Sequence, residues 1–568
     1  MDLASIFHES KSQLAYASGK HDYTFRLRSK AGDLRKAVFF YGDTAYPAPK
    51  VPFLSVPMER SFTGSVYDYF SVHIETDILR LVYGFELVFE DGGVIYYYGE
   101  RFHEDLSTER NDYFKFPYNR EEELPQVPAW LRSAVFYNIF PDSFVTSKRT
   151  ENRALAVGGI SVNSHHGGTL NDVISKLDYI WELGCNALYF NPFFLAGAYH
   201  KYDTVDYLRL DPLIGDDKDL SALVEDAHSR GMHIIIDGVF NHCGSSFFAF
   251  LDVLKNQQNS LYCNWFYHLS FPVVYPPAKG ERPNYACFGY EKDMPKLNTS
   301  NKEVISYFLK VIDKWIGEFH IDGFRFDTSD EVNDDFWRII HRHMRELNPD
   351  SVLIGEVWQN PNHWLSYDLF DSAMNYDFRR ALLGYLKDDR GSAWLDDYVA
   401  YLLMREPRPY AESMLNLLST HDVPRLFSLL GEDKGKMSIA FAFVFTFVGA
   451  VNIFYGDENG FTGVEEDEYR RPMEFPQSPL FASLIKDLSS LRLAHKALVS
   501  GDFKTIEKAG DLYVFSRSGA EETFIVCFNP SPSARSITSF LKEGETTLSY
   551  GLDGKGFLAD GFAIIKKV

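Results

Sequence analysis

From residue 134 to residue 455, short apolar runs alternate with amphipathic helical stretches. The runs fall at residues 134–139, 187–190, 233–237, 321–327, 352–356, 369–374, 414–418 and 451–455, which makes eight. Helical periodicity lies between them, as at residues 172–181, 220–229, 302–316 and 334–347. Strands apolar on both faces and separated by helices predict a parallel sheet. Eight such units predict a closed (β/α)8 barrel of the α/β class. The interval from 243 to 297 is too long for a simple crossover and predicts an inserted subdomain.

The flanks read differently. Residues 1–122 hold short strand-like runs, among them Tyr23-Thr24-Phe25-Arg26-Leu27-Arg28 and Val94-Ile95-Tyr96-Tyr97-Tyr98, broken by turns such as Asp91-Gly92-Gly93. This predicts an N-terminal β-sandwich. A linker-like stretch at 121–128 leads into the barrel region, residues 123–497. Strand alternation returns over residues 498–568 and predicts a small C-terminal β domain. Residues 437–456 carry no charge and are long enough to span a bilayer. Gly449 divides them into a helix-like run at 439–448 and a strand-like run at 451–455, and neither piece alone can cross.

Lys and Arg number 57 against 79 Asp and Glu, a net charge of −22. That balance argues against nucleic acid and against an anionic membrane as partners. The five cysteines, Cys185, Cys243, Cys263, Cys287 and Cys527, form no CxxC pair and suggest neither a disulfide framework nor a zinc ribbon. The first residues show no basic, then apolar, leader pattern. A cytoplasmic enzyme is the expectation.

In a barrel of this kind the chemistry sits at the C-terminal ends of the strands. The third run ends in Asp237-Gly238-Val239-Phe240-Asn241-His242 and the fourth in Arg325-Phe326-Asp327. The fifth ends in Glu356-Val357-Trp358 and the seventh in His421-Asp422. Taken singly, each acid is better explained as a helix cap or an ion-pair partner. Four strands delivering acids to one face are not explained that way. Arg325 and Asp327 are two residues apart, so they share a strand face. The guanidinium favours an ionised Asp327, the natural nucleophile. Glu356 lies one strand–helix unit later, and nearby carboxylates should raise its proton affinity, as a general acid needs. Two carboxyl groups in unlike environments match glycoside hydrolysis. A metal-hydrolase set of Asp237, His242, His421 and Asp422 is the chemical rival. It leaves Arg325 unexplained, and no HExxH spacing occurs.

These strand ends resemble the signature regions of the α-amylase family of glycoside hydrolases. Phe136-Tyr137-Asn138-Ile139-Phe140-Pro141-Asp142 resembles its first strand, and His200-Lys201-Tyr202-Asp203-Thr204 its sugar-stacking loop. Tyr455-Gly456-Asp457-Glu458 and Arg470-Arg471-Pro472-Met473 are similar to its eighth strand and the loop beyond. Met294-Pro295-Lys296-Leu297-Asn298 is similar to the marker of the neopullulanase, cyclomaltodextrinase and maltogenic amylase branch. The resemblance implies Asp327 as nucleophile, Glu356 as acid/base and Asp422 as the third catalytic carboxylate. It implies that Tyr202, Asp237, His242, Arg325 and His421 hold or support the sugar at the cleavage site. Phe288 and Trp358 match aromatic positions that line the acceptor side or contact ring-shaped substrates, and Arg470 a contact one sugar further out.

The activity so implied is retaining hydrolysis of α-1,4, with α-1,6 open, glucosidic bonds in cyclodextrins, maltooligosaccharides or pullulan. An α-1,6-glucosidase or transglycosylase of the same family, and a non-catalytic glucan-binding protein, are the alternatives. The branch also implies a homodimer. Departures occur at Phe324, Phe326, Ser329-Asp330 and Gln359, which leave linkage preference open. The loop after the first strand, residues 144–149, is short of acidic ligands, and Thr169 stands where an Asp would help. No metal site and no cofactor is expected, calcium included.

Overall fold

The computed structural model describes residues 2–48, 50–145, 153–473, 475 and 479–568. By internal contacts the chain forms two compact units. One comprises Pro128–Arg379 and Ser413–Val499, and the other comprises Met1–Val127, Arg380–Glu412 and Ser500–Val568.

The first unit is the barrel. Its strands are β1 (Val135–Ile139), β2 (Ala187–Phe190), β3 (His233–Gly238), β4 (Gly323–Phe326), β5 (Val352–Gly355), β6 (Ser372–Asn375), β7 (Leu415–Leu417) and β8 (Ala450–Phe454). All neighbours are parallel, and β8 closes on β1. The eight expected runs are the eight strands. Every residue of these strands is buried except His233, which is half-buried, as a barrel clothed in helices requires.

The register sets up the site. Asp237 on β3 lies opposite Arg325 on β4. Phe326 on β4 lies opposite Gly355 on β5. The residues that follow that last pair, Asp327 and Glu356, therefore leave adjacent strands at the same level.

Local sequence explains the helices. Asn333 caps Asp334–Leu347 by accepting the Phe336 N–H at 2.9 Å. Asp216 and Asp219 form a reciprocal capping box on Asp217–Ser229. The expected helix at 302–316 is α-helical over Lys302–Ile312 and continues as a π turn, Asp313–Glu318. The helix expected at 172–181 is broken into Leu170–Ile174 and Leu177–Glu182. The uncharged stretch resolves into Lys434–Thr446, buried on nearly every side, and β8. Gly449 joins them at a φ of +115°, where a Cβ would meet the Met414 carbonyl oxygen at 2.6 Å. Among the described residues no helix is long and apolar enough to cross a membrane.

The 243–297 insertion opens with the helix Phe248–Asn256 and is irregular thereafter. Its end returns to the barrel mouth, where the Cys243 N–H donates to the Pro295 carbonyl at 3.1 Å.

In the second unit, residues 15–103 form two antiparallel sheets, with one further strand, Phe114–Phe116, pairing at Leu81–Phe89. Their facing side chains make an aromatic-rich core that includes Phe25, Phe39, Tyr83 and Phe85. Residues 502–567 form a further antiparallel sheet. The helix Gly391–Met404 belongs with these sheets. Its Ser392 N–H donates to the Gly510 carbonyl at 2.8 Å, and its Asp396 accepts from the Tyr513 hydroxyl at 3.0 Å.

Candidate active site

Arg325 is the organising residue. It is fully buried, and one guanidinium nitrogen donates to both Asp237 oxygens at 2.8 and 2.9 Å and to Asp327 Oδ1 at 3.2 Å. The other terminal nitrogen lies 2.9 Å from Glu356 Oε1 and 4.0 Å from Asp422 Oδ2. Its Nε points at the Met374 sulfur, 3.2 Å away. Four carboxylates from four strand ends thus surround one cation.

Each acid has further partners. The Thr328 N–H donates to Glu356 Oε2 at 2.8 Å, and the Trp358 indole N–H donates to Oε1 at 3.1 Å. The Thr328 hydroxyl donates to Asp327 Oδ2 at 3.1 Å. Asp237 Oδ2 accepts from the hydroxyls of Tyr189 and Tyr202 at 3.1 and 3.0 Å. With both oxygens so occupied, Asp237 has the surroundings of a support for Arg325 rather than of a metal ligand. Among the described residues no cluster of His, Cys, Asp or Glu is arranged to hold a metal ion. Thr169 caps the helix Leu170–Ile174 in a capping box with Asp172. Residues 146–149, on which the calcium expectation turns, lie outside the described residues.

His421 is buried. Burial and the charges of Arg470 and Arg325 push its proton affinity well below the usual range. Asn191 Nδ2 lies 2.9 Å from its Nδ1. The His421 Nε2 faces Asp422 Oδ2 at 3.1 Å and also bonds the Tyr202 hydroxyl. The Tyr202 and His421 rings lie nearly parallel, 5.5 Å apart. Arg470 donates through Nε to the His421 carbonyl at 2.8 Å and places a guanidinium nitrogen 3.7 Å from Asp422 Oδ1.

His242 lies at the edge of this network. Burial and the Lys296 ammonium push it down to about 3, against an opposing pull from the Tyr202 main chain. Phe288 stacks on its ring at 5.1 Å. Trp358 stacks on Tyr376 at 3.8 Å and remains 40% exposed. The structure therefore brings Tyr202, Asp237, Arg325, Asp327, Glu356, Trp358, His421, Asp422 and Arg470 into one network. His242 and Phe288 form a pair at its margin.

At Asp327 the electrostatics differ from the sequence expectation. Burial, followed by repulsion from Glu356, Asp237 and Asp422, pushes Asp327 well above the carboxylate range, with Arg325 opposing. Burial and the Glu356 charge push Asp422 up to about 7, against Arg325 and Arg470. One guanidinium is shared among four acids, and its pull on Asp327 is outweighed by burial and the neighbouring carboxylates. Protons leave the set in steps that belong to the set.

Sequence reasoning did not pick out Tyr189, Asn191, Thr328, Met374 or Tyr376. Tyr189 and Asn191 stand at the end of β2, where the scan for acids found nothing to mark. Thr328 adjoins Asp327, but no local pattern announces its role.

Acids from adjacent strands of a (β/α)8 barrel, gathered on one arginine at the C-terminal mouth, make this a glycoside hydrolase. The comparisons with known proteins narrow that class. Residues 138–488 match the α-amylase catalytic domain, and residues 1–120 match the α-amylase N-terminal Ig-like domain. A cyclomaltodextrinase of Geobacillus thermopakistaniensis is 35% identical, over 98% of this chain and 96% of its own length. Neopullulanase 2 of Thermoactinomyces vulgaris is 36% identical, over 93% and 91%. A solved cyclomaltodextrinase structure superposes with a TM-score of 0.89 at 32% identity and covers all of both chains. The chain belongs to the α-amylase family.

Proposed function

We propose that this enzyme is a retaining α-glucan hydrolase acting on cyclodextrins, maltooligosaccharides or pullulan. One observation carries the reading: Arg325 sits 3.2 Å from Asp327 and 2.9 Å from Glu356, with Asp422 completing the cluster. In this reading Asp327 attacks the anomeric carbon while Glu356 gives its proton to the departing glycosidic oxygen. A covalent glycosyl-enzyme forms. Glu356 then takes a proton from water, which attacks the same carbon and releases Asp327. Asp422 and His421 hold hydroxyls of the sugar being cleaved, Tyr202 offers a ring to its face, and Arg470 fixes Asp422. Phe288 and Trp358 line the acceptor side. The cyclomaltodextrinase and neopullulanase relatives support these substrates, as does the match across both ends of the chain.

Asp327→Asn should fold with an unchanged far-UV spectrum and lose hydrolysis by at least about 10³-fold. A variant that keeps about a tenth of the activity would overturn the nucleophile assignment. Product analysis on β-cyclodextrin, pullulan and starch separates α-1,4 from α-1,6 cleavage and ranks the substrates. The homodimer implied by the resemblance belongs to the same proposal, and sedimentation of the full chain tests it. A cytoplasmic location is supported by five cysteines that are all free thiols.

A further inference from the structure

Thr328 stands between the two reacting carboxyl groups in a conformation that its side chain disfavours. Its φ is +45° and its ψ is 45°, in the left-handed region. A β-branched residue there is strained, and such strain persists only where surrounding structure holds it. The conformation turns the Thr328 N–H toward Glu356 Oε2, 2.8 Å away. The same residue's Oγ1 donates to Asp327 Oδ2 at 3.1 Å. Next to it, the Ser329 hydroxyl ties down the Glu356 main-chain carbonyl at 2.9 Å. One left-handed residue thus contacts both acids, on oxygens other than those that face Arg325.

We propose that Thr328 is a positioning residue of the catalytic pair. Its hydroxyl holds Asp327 Oδ2 and favours the ionised nucleophile, while its main-chain N–H orients Glu356. This rests on the reading of Asp327 as nucleophile. The need for such a donor follows from the surroundings. Asp327 is faced by Asp237 from β3, Glu356 beyond β5, Asp422 beyond β7 and the phenol of Tyr207. Opposing these is the cation of Arg325. Arg325 reaches Oδ1, and Thr328 supplies a donor at Oδ2. A hydrogen bond to the charged form lowers the proton affinity of a carboxyl group.

Three variants separate the parts. Thr328→Val keeps the shape and removes the hydroxyl. Thr328→Ser keeps the hydroxyl. Thr328→Gly removes the hydroxyl but keeps the N–H and relieves the backbone strain. The measurement is kcat/KM against pH for hydrolysis of β-cyclodextrin or maltooligosaccharide, with Tm recorded alongside. Thr328→Val and Thr328→Gly should both move the acid limb upward by about one pH unit, a roughly tenfold loss below the limb. Thr328→Ser should keep the wild-type limb. A Thr328→Val enzyme with an unmoved limb, whether or not its Tm falls, overturns the proposal. If that happens while Asp327→Asn is inactive, only the role of Thr328 fails. If Asp327→Asn stays active, the nucleophile reading itself fails.

Discussion

The floor of the site and its rim are built on opposite plans. On the floor, Arg325, Asp237 and His421 are buried, and their polar atoms are engaged by one another, by Tyr189 and Tyr202 and by Asn191. At the rim, Trp358 and Phe288 are held by stacking, the first on Tyr376 and the second on His242. Trp358 is tied in addition to the floor, since its indole N–H donates to Glu356 at 3.1 Å. Moving one floor group unseats its neighbours, because each is a partner of at least two others. Moving a rim ring is expected to change what the site grips more than the chemistry itself. Differences in substrate preference therefore belong at the rim, and loss of reaction belongs on the floor.

The contrast is sharpest at Arg325. Arg325→Lys keeps the charge but cannot reach Asp237, Asp327 and Glu356 together, because an ammonium lacks the planar fork. Steady-state kinetics should show kcat/KM falling about 10³-fold, with a lower Tm from acids left unpaired. A loss of less than about tenfold would mean that the floor tolerates rearrangement. Trp358→Ala should act far more gently. It should change kcat by less than about threefold and alter KM and the β-cyclodextrin-to-starch activity ratio by up to about tenfold. A large fall in kcat with the ratio unchanged would place Trp358 on the floor, acting through its 3.1 Å bond to Glu356. The smallest effect is expected from metal removal. Activity should survive EDTA and dialysis, and loss restored by calcium would bring a metal into the account of the site.

The barrel and its acids were legible in the sequence for one reason. Strands buried on both faces are apolar, so a charged residue at a strand end stands out. Asp237, Arg325, Asp327, Glu356 and Asp422 all announced themselves this way. Uncharged polar groups did not, which is why Tyr189 and Asn191 escaped. Thr328 escaped because a left-handed backbone is a product of the surrounding fold. Spacing paired Arg325 with Asp327 alone and so placed Asp327 on the ionised side. Only the three-dimensional arrangement shows that the guanidinium is divided among four acids. Helical periodicity marked helices without saying what they cover. Nothing in residues 391–404 signals that this helix packs with sheets drawn from both ends of the chain.

That helix has a consequence for how the protein is made. The second unit is assembled from three separated segments, and residues 380–412 are its middle piece. Arg26 donates to the Glu406 carbonyl at 2.7 Å, Ser65 N–H to Asp397 at 2.8 Å, and the Tyr385 hydroxyl to the Asp511 carbonyl at 2.5 Å. During synthesis the N-terminal sheets precede their partners, among them Asp397, Glu406 and Lys504, by hundreds of residues. Between β6 and β7 the chain must leave the barrel, lay down a helix that still lacks one of its faces, and return. A nascent chain halted before residue 500 would carry that uncovered face, with Asp396 and Tyr385 stripped of their partners. An exposed face of that kind makes a partly folded chain prone to aggregate.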